Sequence, residues 1–223
     1  MSIASQITAL NSELPSAVKL VAVSKFKPLE AVMEAYGAGQ RRFGENRPQE
    51  LAAKAVAAPS DIEWHFIGHL QSNKIKMVVP YASMIESIHS RKLLTAVNDF
   101  AASMGKVMDC LLELHIATDE DSKQGFSAEE ALSLASEFNK FPFIRFRGVM
   151  GMASFSDDMA LVRSEFASLK AAYDAIVAYG RSTGRFWVSS FDEISMGMSH
   201  DYKIAIEEGA TIVRIGTTIF GAR

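Results

Sequence analysis

The chain reads as an α/β protein: a single (β/α)8 TIM-type barrel domain spanning residues 1–223, with an extra helix at its N-terminus. Three observations predict this. Short β-rich runs alternate eight times with longer stretches of helical spacing. Helices set between strands supply the crossovers that parallel pairing requires. A length of 223 residues suits a closed barrel, which runs from about 200 residues upward. The open doubly wound alternative would place a Gly-x-Gly-x-x-Gly loop after its first strand. Here that strand runs into Ser24-Lys25-Phe26-Lys27-Pro28, which contains no glycine.

The elements follow in order. A leading helix is expected over 2–10, then strands over 20–24, 42–44, 62–67, 84–88, 110–116, 144–150, 191–195 and 212–215. Helices are expected over 28–36, 48–58, 91–104, 127–138, 157–179 and 199–208. Pro28 and Pro48 suit first-turn positions, where a missing N–H costs nothing. Gly209 is a natural stop behind Glu207-Glu208.

Composition excludes several functions. The 23 Lys and Arg against 26 Asp and Glu give a net charge of −3, without the basic excess of a nucleic-acid binder. The first fifteen residues hold no Lys or Arg and no long apolar segment, so no signal or transit peptide is expected. No run approaches the roughly 18 apolar residues of a membrane span. The expectation is a cytoplasmic protein with no membrane partner. The lone Cys110 lies in an apolar run and reads as a buried, inert thiol.

In a barrel, the active face is built from the C-terminal strand ends. Lys25 follows the apolar run Leu20–Val23, so its stem should start inside the barrel. There a lysine can lose part of its solvation and expose a nucleophilic amine suited to Schiff-base chemistry. A solvated or ion-paired lysine is the alternative. After strands seven and eight, Gly197 and Gly216 allow close backbone approach, while Ser195, Ser199, Thr217 and Thr218 offer hydroxyls for a phosphate. Ser199 also reads as a helix N-cap. Arg214 interrupts an apolar strand between Val213 and Ile215, and alternation directs it into the barrel or its mouth. A guanidinium there needs a partner or a ligand. His65 and His69 are four apart, but on a strand and a turn they should not share a face, which argues against a metal site. Asp119-Glu120-Asp121 lacks calcium-loop spacing, and Met150, Met152, Met196 and Met198 read as packing near the mouth.

These pieces occur within longer motifs. They are Val21-Ala22-Val23-Ser24-Lys25-x-Lys27-Pro28, Phe43-Gly44-Glu45-Asn46, and Trp64-His65-Phe66-Ile67-Gly68-His69-Leu70-Gln71-Ser72-Asn73-Lys74. Further on stand Ser122-Lys123-x-Gly125-Phe126, Arg147-Gly148-Val149-Met150, Ser195-Met196-Gly197-Met198-Ser199-x-Asp201-Tyr202, and Val213-Arg214-Ile215-Gly216-Thr217-x-Ile219-Phe220-Gly221. In this order, over almost the whole chain, the set resembles the pyridoxal phosphate homeostasis protein family, whose barrel is similar to the N-terminal domain of alanine racemase.

The resemblance implies pyridoxal 5'-phosphate as cofactor, joined through its aldehyde to Lys25. It implies that Ser195, Gly216 and Thr217 hold the phosphate, that Arg214 faces the pyridine nitrogen, and that Asn46 and Met196 line the ring pocket. An arginine there weakens the cofactor as an electron sink. Racemisation also needs acid and base groups on both faces of the substrate, one of which the family comparison assigns to a second domain and a partner subunit. No second domain is expected here. The implied role is therefore a monomeric carrier or buffer without a catalytic residue, serving pyridoxal phosphate-dependent apoenzymes and amino-acid and keto-acid balance. Two enzyme readings compete: a small amino-acid racemase moving protons through water or His69, and a Schiff-base aldolase acting on a phosphorylated sugar.

Overall fold

The computed structural model describes residues 2–118 and 124–221. Eight parallel strands close into a barrel in sequence order. They are β1 (Lys19–Val23), β2 (Arg42–Glu45), β3 (Glu63–Phe66), β4 (Met84–Ile88), β5 (Met108–His115), β6 (Ile144–Met152), β7 (Glu193–Ser195) and β8 (Ile212–Ile215). β1 and β8 close the ring in the register Lys19↔Ile212, Val21↔Arg214. Each sequence-predicted strand is present, with ends shifted by up to two residues.

The leading helix α1 (Ile3–Glu13) is capped by Ser2 Oγ, which accepts from Ser5 N–H. The outer ring continues with α2 (Leu29–Gly37), α3 (Pro48–Ala57), α4 (Arg91–Ser103), α5 (Ala128–Ala135), α6 (Met159–Ser182), α7 (Tyr202–Glu207) and the one-turn α8 (Thr217–Phe220). Local chemistry sets their starts. Pro48 opens α3, Ser90 caps α4, Ser127 and Glu130 form a capping box on α5, and Asp158 caps α6. Past β3 the crossover is a short 3-10 segment, Ser72–Met77, in place of a full helix. Among the described residues no helix is long and apolar enough to cross a membrane. The stretch Asp119-Glu120-Asp121 and the Ser122-Lys123 pair lie outside the described residues.

Two packing regions follow from period-2 alternation. The larger core lies between strands and helices and includes Phe43, Phe66, Leu94, Phe166 and Phe191. A separate cluster of Val21, Met84, Leu111, Met150 and Ile212 fills the barrel's interior. Stepping two residues along each strand from that layer reaches Val23, Glu86, Glu113, Met152 and Arg214. The upper interior is thus partly polar, and the site sits on it.

Candidate functional site

A cavity of about 260 Å³ opens at the C-terminal ends of the strands, close to the lower end of ordinary ligand pockets, about 300 Å³. Its floor is Val23, Ile67 and Arg214; its walls carry Lys25, Asn46, Met198, Ser199, Gly216 and Thr217. Met152, Ser154, Phe155, His200 and Asp201 complete the lining.

Lys25 is half-buried in the turn after β1. Its neighbours hold that turn. Phe26 has φ +62, a left-handed conformation that costs a bulky residue about 1–2 kcal/mol. Its N–H donates to Glu50 Oε2 at 2.8 Å. The buried Lys54 ammonium donates to Ser24 O at 2.8 Å and to Glu45 Oε1 at 2.6 Å. Ser24 Oγ donates to the same Glu45 oxygen. Burial pushes the Glu45 carboxyl up, against the hydrogen bonds from Lys54 and Ser24. Lys27 is turned away, its ammonium donating to the carbonyls of Phe220 and Gly221.

Arg214 is 4% exposed. Its Nη1 donates to Ser195 Oγ at 2.6 Å and its Nη2 to Gly151 O at 3.0 Å. Burial lowers its pKa, opposed by the negative charges of Glu86, Asp201 and Glu113. Asn46 Oδ1 is buried and has no hydrogen-bond partner among the described residues, although Asn46 borders the cavity. Such an acceptor costs about 1–3 kcal/mol unless a ligand supplies a donor.

The phosphate-type elements stand opposite. Ser199 Oγ accepts from Gly216 N–H at 3.3 Å and from Thr218 N–H at 3.4 Å. A serine oxygen thus occupies a nest of backbone donors that suits an anion. A Cβ at Gly216 would lie 3.3 Å from Val23 Cβ and Val23 O, so the close approach of β8 to β1 favours glycine there. Gly197 has φ +90, and a Cβ there would come within 2.5 Å of Ala205 Cβ.

The structure therefore gathers five of the seven sequence-predicted residues, Lys25, Asn46, Arg214, Gly216 and Thr217, around one cavity. The other two do not line it. Ser195 is fully buried, donating to Glu86 Oε2 at 2.5 Å and accepting from Arg214. Met196 is packed in the core, and Met198 takes the wall position. Ser199 is not the N-cap of the next helix: α7 begins after Asp201, whose carboxylate accepts from Met198 N–H. His65 and His69 separate. The first bonds Glu86 inside the barrel, and the second stacks on His89 at the mouth, 4.6 Å between ring centres. The sequence offers Ser199 among its phosphate hydroxyls, beside Ser195, Thr217 and Thr218, but it does not single out Glu86. Glu86 was detectable as a carboxylate on the same face of its strand as Met84.

An amine, a cation, an unfilled amide acceptor and a nest of backbone donors suit a small phosphorylated carbonyl compound, and pyridoxal phosphate fits this donor set. The sequence profile described as alanine racemase, N-terminal domain, matches residues 1–223. The pyridoxal phosphate homeostasis protein of Pasteurella multocida is 38% identical over 211 residues, 93% of this chain and 88% of that protein. Among solved structures, PipY of Synechococcus elongatus, determined with pyridoxal phosphate bound, aligns with a TM-score of 0.87 and 33% identity, covering 99% of this chain and 100% of the other. The alanine racemase of Bartonella henselae aligns with a TM-score of 0.75 at 15% identity, over 99% of this chain and 58% of that one, and shares the fold alone. On sequence and fold together, the chain belongs to the pyridoxal phosphate homeostasis protein family.

Proposed function

We propose that this chain binds pyridoxal 5'-phosphate through Lys25 and holds it reversibly. It would act as a cytoplasmic monomeric barrel that buffers the cofactor for pyridoxal phosphate-dependent apoenzymes, and so bears on amino-acid and keto-acid balance. One observation carries the reading: Lys25, Asn46 with its Oδ1 unpartnered among the described residues, Arg214, Ser199, Gly216 and Thr217 line one cavity. When bound, the cofactor supplies an aldehyde that an amine can attack and a ring that can draw electrons. Lys25 supplies the amine. The backbone N–H groups at 216–218, with the Ser199 and Thr217 hydroxyls, would hold the phosphate. The Asn46 carbonyl would accept from the ring's substituents.

Arg214 supports a carrier over an enzyme. Its guanidinium is fixed by Ser195 and Gly151 and is always charged. With the ring nitrogen of a bound cofactor beside it, this cation would oppose protonation of the ring, and an unprotonated ring would stabilise a carbanion poorly. Deuterium exchange at the α-carbon of alanine or serine is therefore expected to match that of free cofactor.

The test is the absorption spectrum of the purified protein titrated with pyridoxal phosphate, before and after borohydride. A yellow band that reduction traps covalently on Lys25 is expected, with at least a tenfold weaker affinity in Lys25→Ala. A protein that stays colourless, or a variant that retains cofactor as tightly, would overturn the assignment.

A further inference from the structure

Inside the barrel, below the cavity, four polar side chains from four strands are joined end to end. His65 on β3 is 4% exposed, and its Nδ1–H donates to Glu86 Oε1 on β4 at 2.5 Å. Glu86, fully buried, accepts at its other oxygen from Ser195 on β7 at 2.5 Å. Ser195 accepts in turn from Arg214 on β8 at 2.6 Å. Arg214 and Glu86 approach to 3.9 Å without a direct hydrogen bond. Burial alone would push the Glu86 carboxyl up, but hydrogen bonds from His65 and Ser195 and the Arg214 charge outweigh it and hold it below the usual range.

We propose that Glu86 is a positioning residue for the cofactor cavity: acting through Ser195, it fixes the Arg214 guanidinium, and His65 fixes Glu86. The inference rests on the reading of the cavity as a pyridoxal phosphate site, and it assigns Ser195 to Arg214 rather than to the phosphate. The geometry makes the direction of support clear. A serine hydroxyl has one hydrogen, and here the carboxylate takes it. The Ser195 oxygen is thereby presented to Arg214 as an acceptor. Glu86 also balances the guanidinium, since an uncompensated cation at this depth is costly.

Other charges flank this network at both ends. Glu113 on β5 and Asp201 act on Arg214, and Glu113 is bonded by Gln124. At the opposite end, His65 borders a small cleft shared with Lys19, Arg42, Glu63, Asp109, Arg147 and Glu193. There Lys19 pairs with Glu193, Arg42 with Glu63, and Arg147 with Asp109.

The test compares wild type, Glu86→Gln, Glu86→Asp and Ser195→Ala, each titrated with pyridoxal phosphate across pH. Removing the anion raises the positive potential at the cavity, which disfavours the protonated, yellow form. In Glu86→Gln the pH midpoint of the band is expected to fall by about one unit, the usual size for a neighbouring buried charge. Affinity is expected to drop about tenfold as Arg214 loses its anchor. Glu86→Asp keeps the charge and is expected to restore the midpoint. Ser195→Ala, which removes one hydroxyl and no charge, is expected to lower affinity and move the band maximum, and it decides the matter if Glu86→Gln fails to fold. An unmoved midpoint and band maximum in both Glu86→Gln and Ser195→Ala, even with weaker binding, would assign Glu86 to stability alone and overturn the proposal. A wild type that develops no band would instead overturn the cofactor reading, and this inference with it.

Discussion

Ser195 and Ser199 stand four residues apart, and the structure gives them opposite tasks. Ser195 ends β7 and follows the strand's alternation inward, where Glu86 and Arg214 engage its hydroxyl. Beyond it the chain leaves the strand through Gly197 at φ +90, and Ser199 emerges against the N–H groups of Gly216 and Thr218. Sequence alternation carries as far as the last paired residue, which is why the inward direction of Arg214 was legible, whereas Ser195 and Ser199 stood side by side as phosphate hydroxyls and alternation could not divide their tasks. The side chain that meets the nest is set by a turn, and a turn has no period. The consequence is measurable. Ser199→Ala should weaken pyridoxal phosphate about tenfold, the value of one charge-assisted hydrogen bond at about 1.5 kcal/mol. It should leave pyridoxal, which lacks the phosphate, unchanged. Equal losses for both ligands would show that Ser199 shapes the turn rather than meeting the phosphate.

Every strand was legible in the sequence, because eight runs of β-branched and apolar residues recur between helical spans. Two departures were not. Between β3 and β4, where the sequence predicts no helix, the crossover is a short 3-10 segment at Ser72–Met77. In β6, the register against β5 slips after Cys110↔Phe146 to Leu111↔Gly148, and Gly148 takes φ +153 with β7 so close that a Cβ would meet Glu193 O at 1.8 Å. No spacing rule announces such a bulge. A helix also secures the mouth. Glu165 of α6, 2% exposed, accepts from Thr118 N–H at 2.6 Å and Oγ1 at 2.8 Å. It accepts equally from Ser154 N–H and Oγ, each at 2.7 Å. It thereby ties the segments after β5 and β6 to one another. Burial would push its carboxyl up, but these four donors outweigh it, so the folded pKa lies below the ordinary 4.5. A depressed carboxylate stabilises the fold above its unfolded pKa and loses that contribution as pH falls through the folded value. Glu165→Gln should therefore cost about 2 kcal/mol at pH 7, and the gap from wild type should close as pH falls below 4.5. Denaturant unfolding at pH 7 and pH 3 measures it, and a gap of constant size would assign the effect to packing.

At the scale of the whole molecule, the cavity joins the two ends of the chain. Lys25 and Asn46 come from the first two strand ends, while Ser199, Arg214, Gly216 and Thr217 come from the last two. The same seam closes the barrel, where β1 pairs with β8 and Lys27 reaches the carbonyls of Phe220 and Gly221. A ligand bridging this seam binds only the closed ring, because the unfolded chain holds these groups far apart. Mass action then stabilises the fold by about 2.7 kcal/mol at a ligand concentration near 100 times Kd. For a chain of this size each kcal/mol is worth roughly 2–4 °C, so saturating pyridoxal phosphate should raise Tm by about 5–10 °C. Lys25→Ala, deprived of the covalent anchor, should show a far smaller rise at the same concentration. Inorganic phosphate, which engages the nest but not Lys25 or Asn46, should stabilise weakly. If phosphate alone gave the full rise, the seam would be an anion site without a role for the lysine. If pyridoxal phosphate gave the same rise in Lys25→Ala as in wild type, binding would not depend on the first strand, and the link between ligand and barrel closure would fail.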